Sequence, residues 1–249
     1  MIQFPLLLLI APAFGSTEPL SNSTLLRLDD APVTHQWTGS VSASAILTDG
    51  NTKTRSASAA ADAQYRREHD RTTLGAFWNY QDDRTGVLQR RTGAKAKYDY
   101  FFSKKTYGLV QTSIENDAQA DLERRWIFGL GIGQQFVENA EHKFLAEAGV
   151  SWFDEHFGNS PNNDYVSARA AYAWDWNINK DWVFFHGADI YPSLEDGDDV
   201  YAKVDTRIRV TLTEKMFAQG QWVTDWDNTP AAGKKDTDNR YIVSIGWSF

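Results

Sequence analysis

Tyr241-Ile242-Val243-Ser244-Ile245-Gly246-Trp247-Ser248-Phe249 is the stretch whose reading decides the fold. Tyr241, Val243, Ile245, Trp247 and Phe249 occupy every second position, and Ser244, Gly246 and Ser248 fill gaps between them. Side chains along a strand alternate between faces, so the segment has one apolar face and one small, polar face. Its length suits the about 9–11 residues of a strand that crosses a bilayer. The competing reading is a terminal buried strand of a secreted carbohydrate-binding β-sandwich that stacks sugars on Trp.

Working back from this strand, the same period of two runs through most of the chain. Trp37, Val41, Ala43, Ala45 and Leu47 alternate with Ser40, Ser42 and Ser44, and Asp49-Gly50-Asn51 is a tight-hairpin signal. Ala57, Ala59, Ala61, Ala63 and Tyr65 then oppose Ser56, Ser58, Asp62, Gln64 and Arg66. Leu74 to Tyr80, Ala94 to Tyr100, Trp126 to Ile132, Phe144 to Trp152, Val166 to Trp176 and Val200 to Leu212 repeat the pattern. Only Thr106 to Glu115 is ambiguous in parity. With strands over Trp182 to Tyr191 and Met216 to Asp225, the count is about twelve.

Connections alternate in length. Glu68-His69-Asp70, Ser103-Lys104-Lys105, Glu138 to Glu141, Asn179-Lys180-Asp181 and Thr213-Glu214-Lys215 are short. Gln81 to Thr85, Asn116 to Asp121, Glu155 to Asp164, Ser193 to Asp199 and Trp226 to Thr237 are mostly longer. Short turns on one rim and longer loops on the other describe an outer-membrane barrel. Pro161, Pro192 and Pro230 fall in or beside the longer loops, as expected of a residue that cannot donate to a closed ladder. The fold expected is therefore all-β: a single antiparallel up-and-down transmembrane barrel over 35–249, with both termini in the periplasm.

Composition agrees with this reading and excludes others. Mean hydropathy of −0.50 and 23% charged residues suit a barrel, in which only alternate residues face lipid. Aromatics reach 14% with ten Trp, which girdles at the two membrane interfaces would use. The absence of Cys removes disulfides and thiolate metal sites. A formal charge of −8 argues against nucleic acid as a partner. At the N-terminus, Leu6-Leu7-Leu8-Leu9-Ile10 with Ala13 and Gly15 reads as a signal peptide over 1–15, although no Lys or Arg precedes it. Residues 16–34, with Pro19 and Pro32, read as a flexible periplasmic lead-in.

Gly50-Asn51-Thr52 after a small-residue strand, Glu147-Ala148-Gly149 in the seventh strand, and Asp227 to Phe249 with Pro230, Lys234-Lys235 and Thr237-Asp238 carry a family resemblance. From Trp37 to Phe249 the chain resembles the bacterial family of salt-induced outer-membrane proteins, a domain of unknown function. That resemblance implies an outer-membrane barrel without an established activity. The terminal Phe249, with Tyr241, Val243, Ile245 and Trp247, also resembles the signal by which barrel assembly machinery recognises its clients. Outer-membrane lipid and that machinery are the expected partners.

Candidate chemistry lies in two places. Asp154 and His156 share one face at the start of a loop and would be the pair of an outer-membrane hydrolase; a solvated strand end is the simpler reading, and no catalytic residue is assigned. Glu195-Asp196-Gly197-Asp198-Asp199 lacks the spacing of a Ca²⁺ loop, so neither metal nor cofactor is expected. The lumen is more informative. With the apolar faces on lipid, Arg66, Arg91, Lys95, Lys97, Arg125, Arg169, Lys203, Arg207, Arg209 and Arg240 point inward, against Asp62, Asp99, Glu147, Asp175 and Asp205. Such groups either pair across the barrel and close it or line a narrow water-filled channel. The basic excess, including the Lys203, Asp205, Arg207, Arg209 ladder, predicts a narrow, weakly anion-selective pore for a small anionic solute, or a structural envelope barrel.

Overall fold

The computed structural model describes residues 36–48 and 54–249. The signal peptide, the lead-in, His35 and the hairpin signal around Gly50 lie outside the described residues. The described residues form twelve antiparallel strands: β1 (Trp37–Thr48), β2 (Thr54–Arg66), β3 (Asp70–Asp83), β4 (Gly86–Phe101), β5 (Thr106–Asp117), β6 (Leu122–Glu138), β7 (His142–Phe157), β8 (Asn163–Asn177), β9 (Trp182–Pro192), β10 (Val200–Thr211), β11 (Met216–Asp227) and β12 (Thr237–Ser248). Each pairs with its sequence neighbours, and β1 closes on β12. Closure gives interior strands partners on both edges, the condition for sheet structure in hydrocarbon.

Alternation sets which side chains meet the bilayer. Leu74, Trp78, Val110, Ile114, Phe128, Leu130, Ile132, Val150, Ile208, Val243 and Ile245 are exposed on the outer wall. Near the loop rim Trp126 meets Trp152 and Trp222 stacks on Tyr241, each pair 6.0 Å apart between ring centroids. Near the turn rim Trp37 packs on Tyr65 at 5.3 Å and Trp174 on Trp176 at 6.0 Å. These two belts occupy the interface depths at which an aromatic ring keeps one edge apolar and one edge wet. Two indole N–H groups of the outer belt are satisfied, Trp126 by Thr112 Oγ1 at 2.7 Å and Trp222 by Asn239 Oδ1 at 3.0 Å.

The rims differ less than the sequence suggests. Pairing of β3 with β4 continues past a bulge between Gln81 and Asp82 to Asp83 opposite Gly86, which leaves a two-residue turn. Gly86 has φ 136°, a conformation open to glycine without a Cβ clash. Loops 158–162, 193–199 and 228–236 are the longer ones, all on this rim. In β5 the parity that the sequence leaves open is settled by packing: Tyr107 and Leu109 are buried inside, while Val110 and Ile114 are outside. Inward rings lie over glycines of the next strand; a Cβ on Gly133 would stand 2.2 Å from Tyr107, and one on Gly246 would stand 2.1 Å from Phe217.

Closure is uneven. Along β1 and β12 the ladder runs from Ser40 opposite Ser248 to Ala43 opposite Ile245, with Gly39 and Phe249 exchanging N–H to O bonds of 3.1 and 3.0 Å beneath it. Ser44–Thr48 pair with β2 but not with β12, and Arg240–Ser244 pair with β11 but not with β1. Local opening starts where backbone bonds are fewest. Amides on the facing edges of 44–48 and 240–244 are expected to exchange with deuterium faster than those of 39–43 and 245–249. Equal protection along the whole seam would show that it zips shut in the membrane.

Candidate functional site

The inward faces build a polar interior from side chains that strand parity alone directs. At the loop-side end Asp225 of β11 is the hub. Arg91 Nη1 of β4 reaches Asp225 Oδ2 at 3.2 Å, Lys203 Nζ of β10 lies 3.5 Å from Asp225 Oδ1, Tyr201 OH donates to the same carboxylate at 2.6 Å, and Arg240 of β12 pairs with it too. Arg91 also binds Glu115 at 2.9 Å and Asp117 at 3.3 Å. Arg125 of β6 pairs with Glu155 and reaches Asp227 at 3.2 Å, while Lys203 stands 3.7 Å from Glu115 of β5.

Several of these contacts cross the lumen. In the closed order β4 and β11 are five strands apart by the shorter route, as are β6 and β11, and β5 and β10. A circular barrel with strands about 4.8 Å apart and tilted about 40° would hold opposite walls roughly 24 Å apart. An Arg and an Asp in hydrogen-bond contact span roughly 14 Å between Cα atoms. The cross-section is therefore flattened here, with β4–β6 drawn towards β10–β11.

Aromatic packing thickens the same layer. Phe153 is fully buried, stacks on Tyr165 at 4.8 Å and meets Tyr191 edge-on at 5.2 Å; Arg125 lies 4.4 Å over the Tyr201 ring. At the turn-side end Phe101 packs on Tyr107 at 4.9 Å, Arg66 lies 3.6 Å over Phe101, and Arg71 bonds Asp99 at 2.7 Å. Between the two constrictions is a cavity of about 110 Å³ lined by Lys95, Lys97, Gln111, Ser113, Glu147, Arg169, Asp189 and Lys203, among others.

The inward basic residues of the sequence reading are placed as follows. Lys97 pairs with Glu147, which also accepts from Tyr107 at 2.6 Å and Arg169 at 2.9 Å; Arg169 continues to Asp189 at 2.6 Å. Arg207 bonds Asp205 two residues away on its own strand at 2.7 Å, and Arg209 bonds Gln219 at 2.9 Å. Arg91, Arg125, Lys203 and Arg240 meet in the loop-side layer. Arg66 rests on Phe101, and Lys95 faces the cavity.

Beyond Asp62, Asp99, Glu147, Asp175 and Asp205, sequence reasoning missed several acidic groups of this interior. Glu115, Asp117, Glu155, Asp225 and Asp227 all partner the basic groups. Glu115 stands in the strand of open parity, while Asp117, Glu155 and Asp227 stand at strand ends read as loop. The excess of basic over acidic positions counted from sequence is consequently not present: in the Lys203 to Arg209 run, Lys203 meets Glu115 from across the barrel and Asp225 from the next strand, and Arg207 meets Asp205 on its own strand. Extending the alternation Gln219, Gln221, Val223 by one step would have found Asp225.

The other candidate sites are geometrically defined. His156 Nε2 lies 2.8 Å from Asp154 Oδ1 on the outer wall, so the pair forms; Nδ1 of the same ring faces Asn162 Nδ2 at 3.2 Å. Both ring nitrogens are engaged, and Asp154 is shared with Arg124 at 2.8 Å. In loop 193–199 Glu195 accepts from Val166 N–H at 3.0 Å, Asp196 from Asp198 N–H at 3.0 Å, and Asp199 from the Thr229 hydroxyl at 2.8 Å. Burial raises the Asp199 carboxyl above the usual range, opposed by that hydroxyl. Among the described residues no group of His, Asp and Glu is arranged to hold a metal.

Comparison with solved structures finds the same architecture. The chain is similar to the NanC porin, at 9% identity over 86% of this chain and 99% of that one, with a TM-score of 0.51. It is also similar to the COG4313 outer membrane channel from Pseudomonas putida F1, at 13% identity over 90% of this chain and 100% of that one, with a TM-score of 0.53. At these identities the likeness is one of fold, that of outer-membrane β-barrels. No curated protein matches the sequence. A family model described as "Protein of unknown function, DUF481" matches residues 41–249, a description that carries no reference to salt. The chain belongs to that family of unknown function, DUF481, and its fold is a closed twelve-stranded outer-membrane barrel.

Proposed function

We propose that the chain is a passive, narrow channel of the bacterial outer membrane, without catalysis, that admits small ions and favours anions weakly. The observation that carries this reading is the polar cavity of about 110 Å³ held between two constrictions, with Lys95 facing it. Paired groups on the wall cancel one another at a distance, so any anion preference rests on Lys95 at the cavity rather than on a broad basic field. The Debye length at physiological salt, about 8 Å, is comparable with a narrow pore's radius, so one such charge acts across the whole bore. Export by a signal peptide over 1–15, lipid contact through the outer wall and recognition of β12 by assembly machinery belong to the same reading.

A structural envelope barrel is the second reading, favoured by the cross-lumen contacts of Asp225 and Glu115. Single-channel recording in planar bilayers separates the two. Small conductance steps that prefer chloride over potassium are expected, and Lys95→Gln is expected to abolish the preference. Protein that inserts in folded form and conducts nothing leaves the closed structural barrel.

A further inference from the structure

Most inward basic groups are matched; Arg66, Lys143 and Lys95 have no hydrogen-bond or ion-pair partner among the described residues, and of these only Lys95 lines the cavity. Its neighbours in register are Gly75 on β3 and Ser113 on β5, neither of which fills the space beside it. Lys97 and Arg169 share Glu147, Arg169 and Tyr191 share Asp189, and Arg207 and Gln221 share Asp205. Each carboxylate around the cavity is thus held by a group other than Lys95. Lys95 itself has neither a hydrogen-bond nor an ion-pair partner among the described residues, and it lines the cavity together with Ser113 and Gln111.

Asp189 attracts Lys95 from a distance but is not in contact with it; a cation removed from bulk water without a contacting counter-ion is costly, and a mobile anion supplies that contact. We propose that the cavity is a binding site for a small inorganic monovalent anion of halide type, held by Lys95 Nζ and by donors from Ser113 and Gln111. Size selects the class. A cavity of about 110 Å³ has room for an ion with a few waters, since one water needs about 10–15 Å³ by this measure. It is well below the roughly 300 Å³ at which pockets for organic ligands begin. The ammonium group donates only, and the hydroxyl and amide can donate too, so the set is complementary to an acceptor without protons.

The inference deepens the channel reading by giving it an internal site, and it can fail separately. The test is anomalous diffraction from crystals of the full-length barrel grown in sodium bromide. A bromide peak in hydrogen-bond contact with Lys95 Nζ is expected, and it is expected to vanish in Lys95→Met with the barrel still closed. Lys95→Gln is the second variant if the apolar side chain hinders assembly. An empty cavity in the wild type, or a peak that persists without the ammonium group, overturns the site. Bromide at Lys95 in a protein that does not conduct would remove the channel and keep the site; chloride-selective current with an empty cavity would do the reverse.

Discussion

Asp225→Asn is expected to lower the stability of the folded barrel by about 3–5 kcal/mol, the cost of taking the shared carboxylate out of a buried charge cluster. Asp225 is in contact with Arg91, Lys203, Arg240 and the Tyr201 hydroxyl, and the side chains of Arg91 and Arg240 are only 3% and 4% exposed. Asn retains the shape and can still accept a hydrogen bond, but it leaves Arg240 without its carboxylate and leaves Arg91 and Lys203 to Glu115 and Asp117 alone. The measurement is the urea unfolding curve of the barrel in lipid vesicles, with Asp164→Asn, an exposed residue of β8, as the reference expected to stay within about 0.5 kcal/mol. The size of the effect also reports on water. A cost below about 1 kcal/mol is that of a solvent-screened pair and would mean that the layer around Asp225 is open and wet.

Removing Phe249 is expected to prevent most of the protein from reaching the closed, heat-modifiable form in membranes. The reason lies in the uneven seam: the reciprocal Gly39 and Phe249 backbone bonds sit directly beneath the short stretch over which β1 and β12 pair among the described residues. Losing two bonds from so short a ladder removes a large share of what closes the barrel, whereas the same loss from β6 and β7 would leave most of their ladder intact. Phe249→Ala keeps both backbone bonds and so separates closure from recognition of the aromatic side chain by assembly machinery. Failure of the deletion alone points to closure, and failure of both points to recognition. Insertion of the deleted chain at the wild-type level would sink both roles.

The sequence by itself determined the barrel because its cause is local. Alternation in Trp126 to Ile132, Val166 to Trp176 and Tyr241 to Phe249 assigns faces residue by residue, and hairpin connections then leave little choice of strand order. Parity also determined that Arg91, Arg125, Arg169, Lys203 and Arg240 turn away from lipid. It failed at β5, where Tyr107 and Leu109 put apolar groups on the inner face and Val110 and Ile114 put them on the outer, so that hydrophobicity no longer distinguished the two. It failed again at strand ends, where Asp117, Glu155 and Asp227 look like loop residues until their partners are known, on the adjacent strand for the first two and across the lumen for Asp227.

What only the tertiary structure decided is which charges meet. Arg91 and Asp225 are 134 residues apart and Arg125 and Asp227 are 102 apart, on strands that nothing local brings together. Their contact depends on a flattened cross-section, which is a property of the closed sheet as a whole. The same holds for Lys95. Its sequence neighbourhood, Ala94 to Lys97, resembles that of any inward basic residue, and it is set apart only by where every carboxylate around it has already been engaged.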